Sequence, residues 1–205
     1  MNDNFNPTKQ DLFLLNWLLL IFILVVAMII IGGITRITDS GLSMVEWRPI
    51  LGFLPPLNHQ EWERVFDLYR NTPEYAYYNK GMLLSDFKFI FFWEYFHRLW
   101  GRIIGIVFIL PFIYLIISKK INKLITLRLL VILFFGSLQA FIGWWMVKSG
   151  LIDKPDVSQY RLAIHFGNSL LILFLLFWLI LDLKNNKSRI KLSLIHISEP
   201  TRPSI

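Results

Sequence analysis

Cysteine is absent from this chain of 205 residues, and charged residues are scarce. Without cysteine the chain has no disulfide framework, no thiolate zinc site and no thiol nucleophile. Charged residues make up 17% of the sequence, whereas soluble domains carry about a quarter. Hydrophobic residues reach 55% and aromatic residues 16%. This composition argues against an ordinary soluble enzyme, a disordered chain and a collagen-like chain.

Four apolar runs predict membrane-spanning helices. The first, residues 12–34, contains no charged residue and is long enough for a bilayer core of ~30 Å. The second is too short between Arg102 and Lys119, so its helix must extend back toward Phe89, with Ser85 as the expected N-cap. We therefore predict an all-α integral membrane four-helix bundle with spans at residues 12–34, 89–118, 127–147 and 162–183.

Basic residues predict which loops face the cytoplasm. They crowd the connection between the second and third spans and the segment after the fourth: Lys119, Lys120, Lys123, Arg128, Lys184, Lys187, Arg189 and Lys191. The positive-inside rule then places residues 1–11 and 184–191 in the cytoplasm and residues 35–88 outside. The net charge of +7 is thus explained by the membrane, and no nucleic-acid partner is expected. Tryptophans are expected at both interfaces, including Trp17 at the inner one.

The long outer loop contains a predicted short amphipathic helix. Trp62, Val65, Phe66 and Tyr69 follow helical spacing, and Asn58 precedes Glu61 by the three residues of a capping box. Two placements are open for this helix. It lies on the bundle mouth or membrane surface, or it is a solvated loop helix.

A short motif occurs twice. Gly33 precedes Ser40-Gly41-Leu42 after the first span, and Gly143 precedes Ser149-Gly150-Leu151 after the third. Each motif is followed by a span with a histidine near its outer end. The sequence therefore predicts two hairpins of the same plan, with chance similarity as the alternative.

Ionisable residues cluster near the expected outer ends of the second and fourth spans. Glu94 and His97 share one helix face, and Gly101 one turn further on leaves space for a flat macrocycle or for close helix packing. His165 lies at a similar expected depth in the fourth span. Two imidazoles facing each other can ligate haem iron, although a lone buried histidine is more often a packing residue.

Three arginines lie near these histidines: Arg98 is adjacent to His97, Arg102 lies one turn along from Arg98, and Arg161 lies one turn before His165. A guanidinium group can hold a haem propionate bidentately, and the alternative is that each arginine extends to the membrane interface. Glu94 is either a charge near a helix N-terminus or a proton donor and acceptor beside a reacting group. Spacing alone does not choose between these roles.

Several longer motifs run along residues 10–183. They are Thr35 to Met44 with Glu46-Trp47 and Pro49, Thr72-Pro73-Glu74-Tyr75, Glu94 with His97-Arg98, Gln139 with Gly143 to Val147, and Arg161 to His165. Together they resemble the haem A synthase family, in its mitochondrial-type branch. The resemblance implies an oxidoreductase that converts haem O to haem A, for cytochrome oxidase, by oxidising a ring methyl to a formyl group. It also implies eight spans in two similar halves.

By this resemblance the chain is the amino-terminal half, which holds the substrate haem O. His97 and His165 would be its axial ligands, and Glu94 the carboxylate close to the chemistry. Haem b is expected in the missing second half. Haem O synthase, an electron acceptor and further copies of the chain are candidate partners, in a bacterial inner membrane or a mitochondrial inner membrane. The alternative is a non-catalytic membrane haem protein with two histidine ligands.

The end of the chain is expected to be foreign. Leu192 to Arg202 resembles the in-frame translation of a transposon-end adapter used in sequencing libraries. Residues 192–205 are therefore predicted to be a non-native tail. A chain interrupted there lacks the second half, which leaves its own activity open.

Overall fold

The computed structural model describes residues 9–46, 53–152 and 155–197, and every regular element in them is an α-helix. Four of the helices are long and apolar enough to cross a membrane, which confirms the all-helical prediction with four spans. In chain order the helices are α1 Lys9–Ile37, α2 His59–Arg70, α3 Pro73–Tyr77, α4 Leu84–Ile117, α5 Lys123–Ile152 and α6 Gln159–Ile197.

The four long helices form a ring in the order α4, α1, α6, α5. Helix α1 packs against both α4 and α6, and α6 packs closely against α5, whereas α4 and α5 meet only sparsely. Helices α4 and α6 therefore face each other diagonally. An apolar core that includes Leu18, Leu115, Leu129 and Leu176 fills the half of the bundle remote from α2 and α3. We call the other end, where α2 and α3 lie, the mouth.

Helix α4 contains Pro111 in its interior. Proline has no N–H, so the carbonyl of Val107, four residues earlier, loses its helical donor. Nε1 of Trp17 donates to this carbonyl at 2.8 Å. The prediction that Trp17 lies at the inner membrane interface was wrong, because the residue is buried between α1 and α4, where that carbonyl accepts its N–H.

Helix α2 forms as the sequence predicts and packs on the bundle. Oδ1 of Asn58 accepts from the backbone N–H of Glu61 at 2.8 Å. Phe66 and Tyr69 are fully buried, and the ring of Phe66 stacks on Phe87 of α4 at 4.8 Å between centroids. Of the two placements, contact with the bundle mouth is the one observed.

Helix α4 begins one residue before Ser85, the expected N-cap. Leu83 occupies the cap position and makes no side-chain cap bond, while the Ser85 hydroxyl lies 3.4 Å from Oδ1 of Asp86. Met82 and Leu84 pack against the aromatic cluster between α2 and α4. This burial sets the start of the helix, so the prediction of Ser85 as N-cap was wrong.

The two copies of the repeated motif touch at the mouth. Leu42 is buried, and a Cβ added to Gly150 would lie 2.7 Å from its Cδ1. Only glycine permits this approach at position 150. The hairpin of α1 and α4 is thereby joined to the hairpin of α5 and α6 at the same end.

Parts of the sequence predictions fall outside the described residues. The backbone of α6 continues to Ile197, and residues 198–205 of the expected foreign tail lie beyond it. Trp47 and Pro49 of the loop motif, and residues 1–8, also lie outside the described ranges.

We expect Trp17→Phe to destabilise the protein by about 1 kcal/mol, because the Val107 carbonyl would lose its donor inside an apolar bundle. In a Pro111→Ala background the restored backbone N–H donates to the same carbonyl, so Trp17→Phe should then cost less. Denaturant unfolding of the four proteins in detergent measures this coupling. If Trp17→Phe lowers the free energy of unfolding equally in both backgrounds, Trp17 does not replace the backbone donor that Pro111 lacks.

Candidate functional site

The two histidines predicted as ligands lie on the diagonally opposed helices. His97 is on α4 and His165 is on α6, both in the half of the bundle nearer the mouth. Both histidines are partly buried. Each also lies against a glycine of a neighbouring helix, His97 against Gly32 of α1 and His165 against Gly143 of α5.

Two amide side chains hold His165 in place. Nδ2 of Asn168 donates to Oε1 of Gln139 at 2.6 Å and to the carbonyl of Phe135 at 3.1 Å. This fixes the Gln139 amide, whose nitrogen then lies 3.3 Å from Nε2 of His165 and 3.1 Å from its carbonyl. Nε2 accepts in this arrangement, so Nδ1 carries the proton. Nδ1 is buried without a hydrogen-bond partner among the described residues.

The roles of Gln139 and Asn168 at the site do not follow from the sequence motifs. The available signal was their chemistry, because an amide side chain inside an apolar span is unfavourable unless it finds a polar partner. Gln139 lies on α5 and Asn168 lies on α6. Only the packing of these two helices shows that Asn168 binds Gln139 and that Gln139 contacts the His165 imidazole.

Glu94 is buried and clamps the chain that follows α1. Its Oε2 accepts from the Ser43 hydroxyl at 2.7 Å and from the Met44 N–H at 2.8 Å. Its Oε1 is paired with Arg98, one turn along α4. Nη2 of Arg98 also donates to the Met44 carbonyl at 3.2 Å. Glu94 and Arg98 together therefore bind the backbone N–H and the carbonyl of one loop residue, Met44, which the sequence did not reveal.

The three predicted arginines lie in two places. Arg98 and Arg102 line a cavity of about 260 Å³ between the outer loop, α2 and α4. Arg102 also stacks over Phe53, with 5.3 Å from its guanidinium carbon to the ring centroid. Arg161 lies at the seam of α5 and α6, where it donates to the Trp145 carbonyl at 2.8 Å and covers the Trp145 ring.

Gly101 faces α1 in this structure. A Cβ at Gly101 would lie 3.4 Å from Cε of Met28, which is an ordinary close packing distance. The contact agrees with the helix-packing alternative stated for this glycine. Its contact with a macrocycle stays a prediction.

The donor set of the site fits a porphyrin iron. Within the described residues no group of three or more histidine, aspartate and glutamate side chains could hold a metal ion. Two imidazoles alone would be an incomplete coordination sphere. A porphyrin supplies the four equatorial nitrogens itself and requires only two axial donors.

Comparison with known proteins identifies the family. Residues 15–203 match the profile of the COX15-CtaA family, described as cytochrome oxidase assembly protein. The chain belongs to this family. It is therefore a multi-pass membrane protein in which α1, α4, α5 and α6 supply the candidate spans.

Curated relatives of this COX15-CtaA chain carry the name "Heme A synthase". The relative from Nitrosospira multiformis is 50% identical over 169 residues, which cover 82% of this chain and 48% of the relative. The relative from Parvibaculum lavamentivorans is 46% identical over 172 residues, which cover 84% and 50%. The relative from Nitrosomonas eutropha is 52% identical over 162 residues, which cover 79% and 46%. The chain thus spans about half the length of these relatives. No solved structure matches it significantly.

A second buried carboxylate of this COX15-CtaA chain, Glu74, lies in α3 outside the spans. It is hydrogen-bonded to the Tyr69 hydroxyl, which also accepts from Nδ2 of Asn79 at 2.6 Å. Its Oε2 has no partner within the described ranges. Burial raises the pKa of Glu74 to about 7, and the negative charges of Glu94, Asp39 and Asp156 act in the same direction.

This pKa predicts pH-dependent stability. The folded protein holds the Glu74 proton more tightly than the unfolded chain, so stability falls as the pH rises from 4.5 to about 7. We expect Glu74→Gln to raise the melting temperature at about pH 8 and to have a smaller effect at about pH 5. Thermal unfolding in detergent measures both values, with Glu63→Gln on the exposed face of α2 as the control. A difference between Glu74→Gln and the native chain that does not change with pH would refute the assignment.

Proposed function

We propose that this chain is the half of a haem A synthase that holds the substrate haem O. The observation that carries the proposal is the placement of His97 and His165 on diagonally opposed helices, in the same half of the bundle. The relatives are named for the synthesis of haem A. The proposed reaction is the oxidation of a ring methyl of haem O to a formyl group. His97 and His165 are proposed as the axial ligands of the iron.

The surroundings of His165 suit a change of bonding partner. The contact from Gln139 to Nε2 is 3.3 Å, at the long end for a hydrogen bond. This weak bond can be exchanged for a bond from Nε2 to iron. Gln139 would then keep its bonds to Asn168 and to the His165 carbonyl, so the exchange leaves no polar atom of its amide without a partner.

The arginines at the mouth are proposed to orient the substrate by its propionates. Arg102 lines the mouth cavity, and Arg161 lies one turn from His165. Arg98 is already bound to Glu94 and to the Met44 carbonyl, so it would have to share these bonds with a propionate. Guanidinium groups recognise carboxylates bidentately and would fix the rotation of the macrocycle about the axial bonds.

Glu94 is proposed to assist the oxidation by stabilising positive charge near the reacting carbon or by moving a proton. Three donors occupy its oxygens, from Ser43, Met44 and Arg98. Proton transfer at Oε1 or Oε2 therefore requires one donor to leave, whereas electrostatic stabilisation requires none. The present geometry favours the electrostatic role.

The alternative function is a non-catalytic membrane haem protein with the same two ligands. The full engagement of Glu94 favours it, because a carboxylate that only anchors a loop needs no part in chemistry. The two proposals share the haem site and differ in what Glu94 does. They are therefore separated by substitution of Glu94 and not of the histidines.

The whole enzyme is proposed to contain a second four-helix half with haem b, beyond the length of this chain. We place the chain in the mitochondrial-type branch, on its outer-loop motifs. We also place it in a bacterial or mitochondrial inner membrane, with both chain ends in the cytoplasm or matrix and the mouth on the other side. Haem O synthase, an electron acceptor and further copies of the chain are the proposed partners. Residues 192–205 are proposed to be the foreign tail.

Removing either ligand tests the haem site. We expect His97→Ala and His165→Ala each to abolish the low-spin spectrum given by two imidazoles, and His59→Ala, whose side chain is exposed, to leave it intact. The measurement is the absorption spectrum of each purified protein after titration with iron protoporphyrin IX. If both alanine variants bind with the native spectrum, the ligand assignment is wrong.

Glu94→Gln tests whether the site is catalytic. We expect haem binding to persist, because the amide oxygen can still accept from Ser43 and Met44, while haem A formation falls by at least about a hundredfold. The assay measures haem A in membranes that contain haem O synthase and the chain joined to the second half of the Nitrosospira multiformis relative. Ser43→Ala, which removes one donor but keeps the carboxylate, is the control. Native haem A output from Glu94→Gln would favour the non-catalytic alternative.

A further inference from the structure

Each candidate ligand lies against a glycine of a neighbouring helix, although the two imidazoles approach through different ring atoms. A Cβ added to Gly32 of α1 would lie 3.3 Å from Nε2 and 3.7 Å from Cδ2 of His97. A Cβ added to Gly143 of α5 would lie 3.0 Å from Cε1 and 3.6 Å from Nδ1 of His165. In each hairpin the glycine is on the first long helix and the histidine is on the second.

The other helical glycines near the site differ from this pair. A Cβ at Gly33, beside Gly32 on α1, would meet nothing within 4 Å, and the same holds for Gly136, two turns before Gly143 on α5. The contact with an imidazole is therefore a property of these positions and not of glycine in these helices generally. Gly33 and Gly136 provide matched controls on the same two helices.

Space, and not backbone conformation, requires glycine at positions 32 and 143. Both residues lie inside α-helices, and neither has the positive φ that favours glycine. Alanine would stabilise a helix interior relative to glycine. A methyl group at 3.0–3.3 Å from a ring atom would instead force the imidazole to move by a few tenths of an ångström.

We propose that Gly32 and Gly143 are positioning residues, which set the tilt of the two imidazoles by letting each ring lie directly on a neighbouring backbone. The inference rests on the proposed haem ligation and adds the residues that aim the ligands. Groups behind a metal ligand orient it and tune the metal. Here the orienting group is a helix surface without a side chain.

The two sides are not equivalent. The overlap at Gly143 is tighter than at Gly32, and the His165 ring is also held by Gln139, one turn from Gly143 on the same helix. His165 therefore has less freedom to yield. We expect Gly143→Ala to disturb ligation more than Gly32→Ala.

The test compares Gly32→Ala and Gly143→Ala with Gly33→Ala and Gly136→Ala in the complete chain. Each purified protein is titrated with iron protoporphyrin IX in detergent, and the ferric low-spin signal is recorded by electron paramagnetic resonance. We expect about tenfold weaker binding and a shifted low-spin signal in the two site variants. The two control variants should match the native protein in both measurements. Melting temperatures are measured for all five proteins, since a purely structural effect would lower them without shifting the signal.

Native affinity and native signals in both site variants would overturn the inference, and so would equal changes in the controls. If Gly143→Ala does not fold, Gly32→Ala with its smaller overlap decides the outcome. A wrong ligand assignment gives a different result from a wrong role for the glycines. If the ligand assignment is wrong, His97→Ala and His165→Ala keep the native haem spectrum. If only the role of the glycines is wrong, His97→Ala and His165→Ala still lose that spectrum.

Discussion

The carboxylate of Glu94 inside an apolar bundle is the constraint on which the mouth of the protein depends. A carboxylate at membrane depth needs strong partners, and Glu94 finds them in Arg98 on its own helix and in Ser43 and Met44 after α1. These bonds hold the loop on α4. Leu42, next to Ser43, then reaches across to Gly150 in the last turn of α5. One buried carboxylate thus joins two hairpins at the end where the histidines lie.

The two halves of the bundle are filled by different kinds of side chain. The half away from the mouth is filled by large apolar side chains from all four long helices, and the gap left by Pro111 is closed by Trp17. The half near the mouth contains imidazoles, amides and glycines in place of that core. The contact between α4 and α5 is sparse, so the ring of helices is least tightly joined on that side.

Local patterns in the sequence predicted much of this protein. The spans follow from runs of apolar residues, and α2 follows from the spacing of Phe66 and Tyr69 and from the Asn58 cap. Predictions failed where a distant residue decided the outcome. Trp17 was assigned to the interface because tryptophan prefers it, but the Val107 carbonyl, 90 residues later, is its partner. Ser85 was expected to cap α4, but burial of Met82 and Leu84 sets the helix start.

Composition and motif by themselves determined the class of protein, the number of spans and the candidate ligands His97 and His165, because bilayer thickness and metal chemistry act on residue type and spacing. Only the tertiary structure decided which helices are neighbours and which groups share a bond. It paired Glu94 with the loop, Gln139 and Asn168 with His165, and two glycines with two imidazoles. The physical reason is that hydrogen bonds and van der Waals contacts act over only a few ångströms. The number of residues between two partners in the sequence does not indicate whether the fold brings them that close.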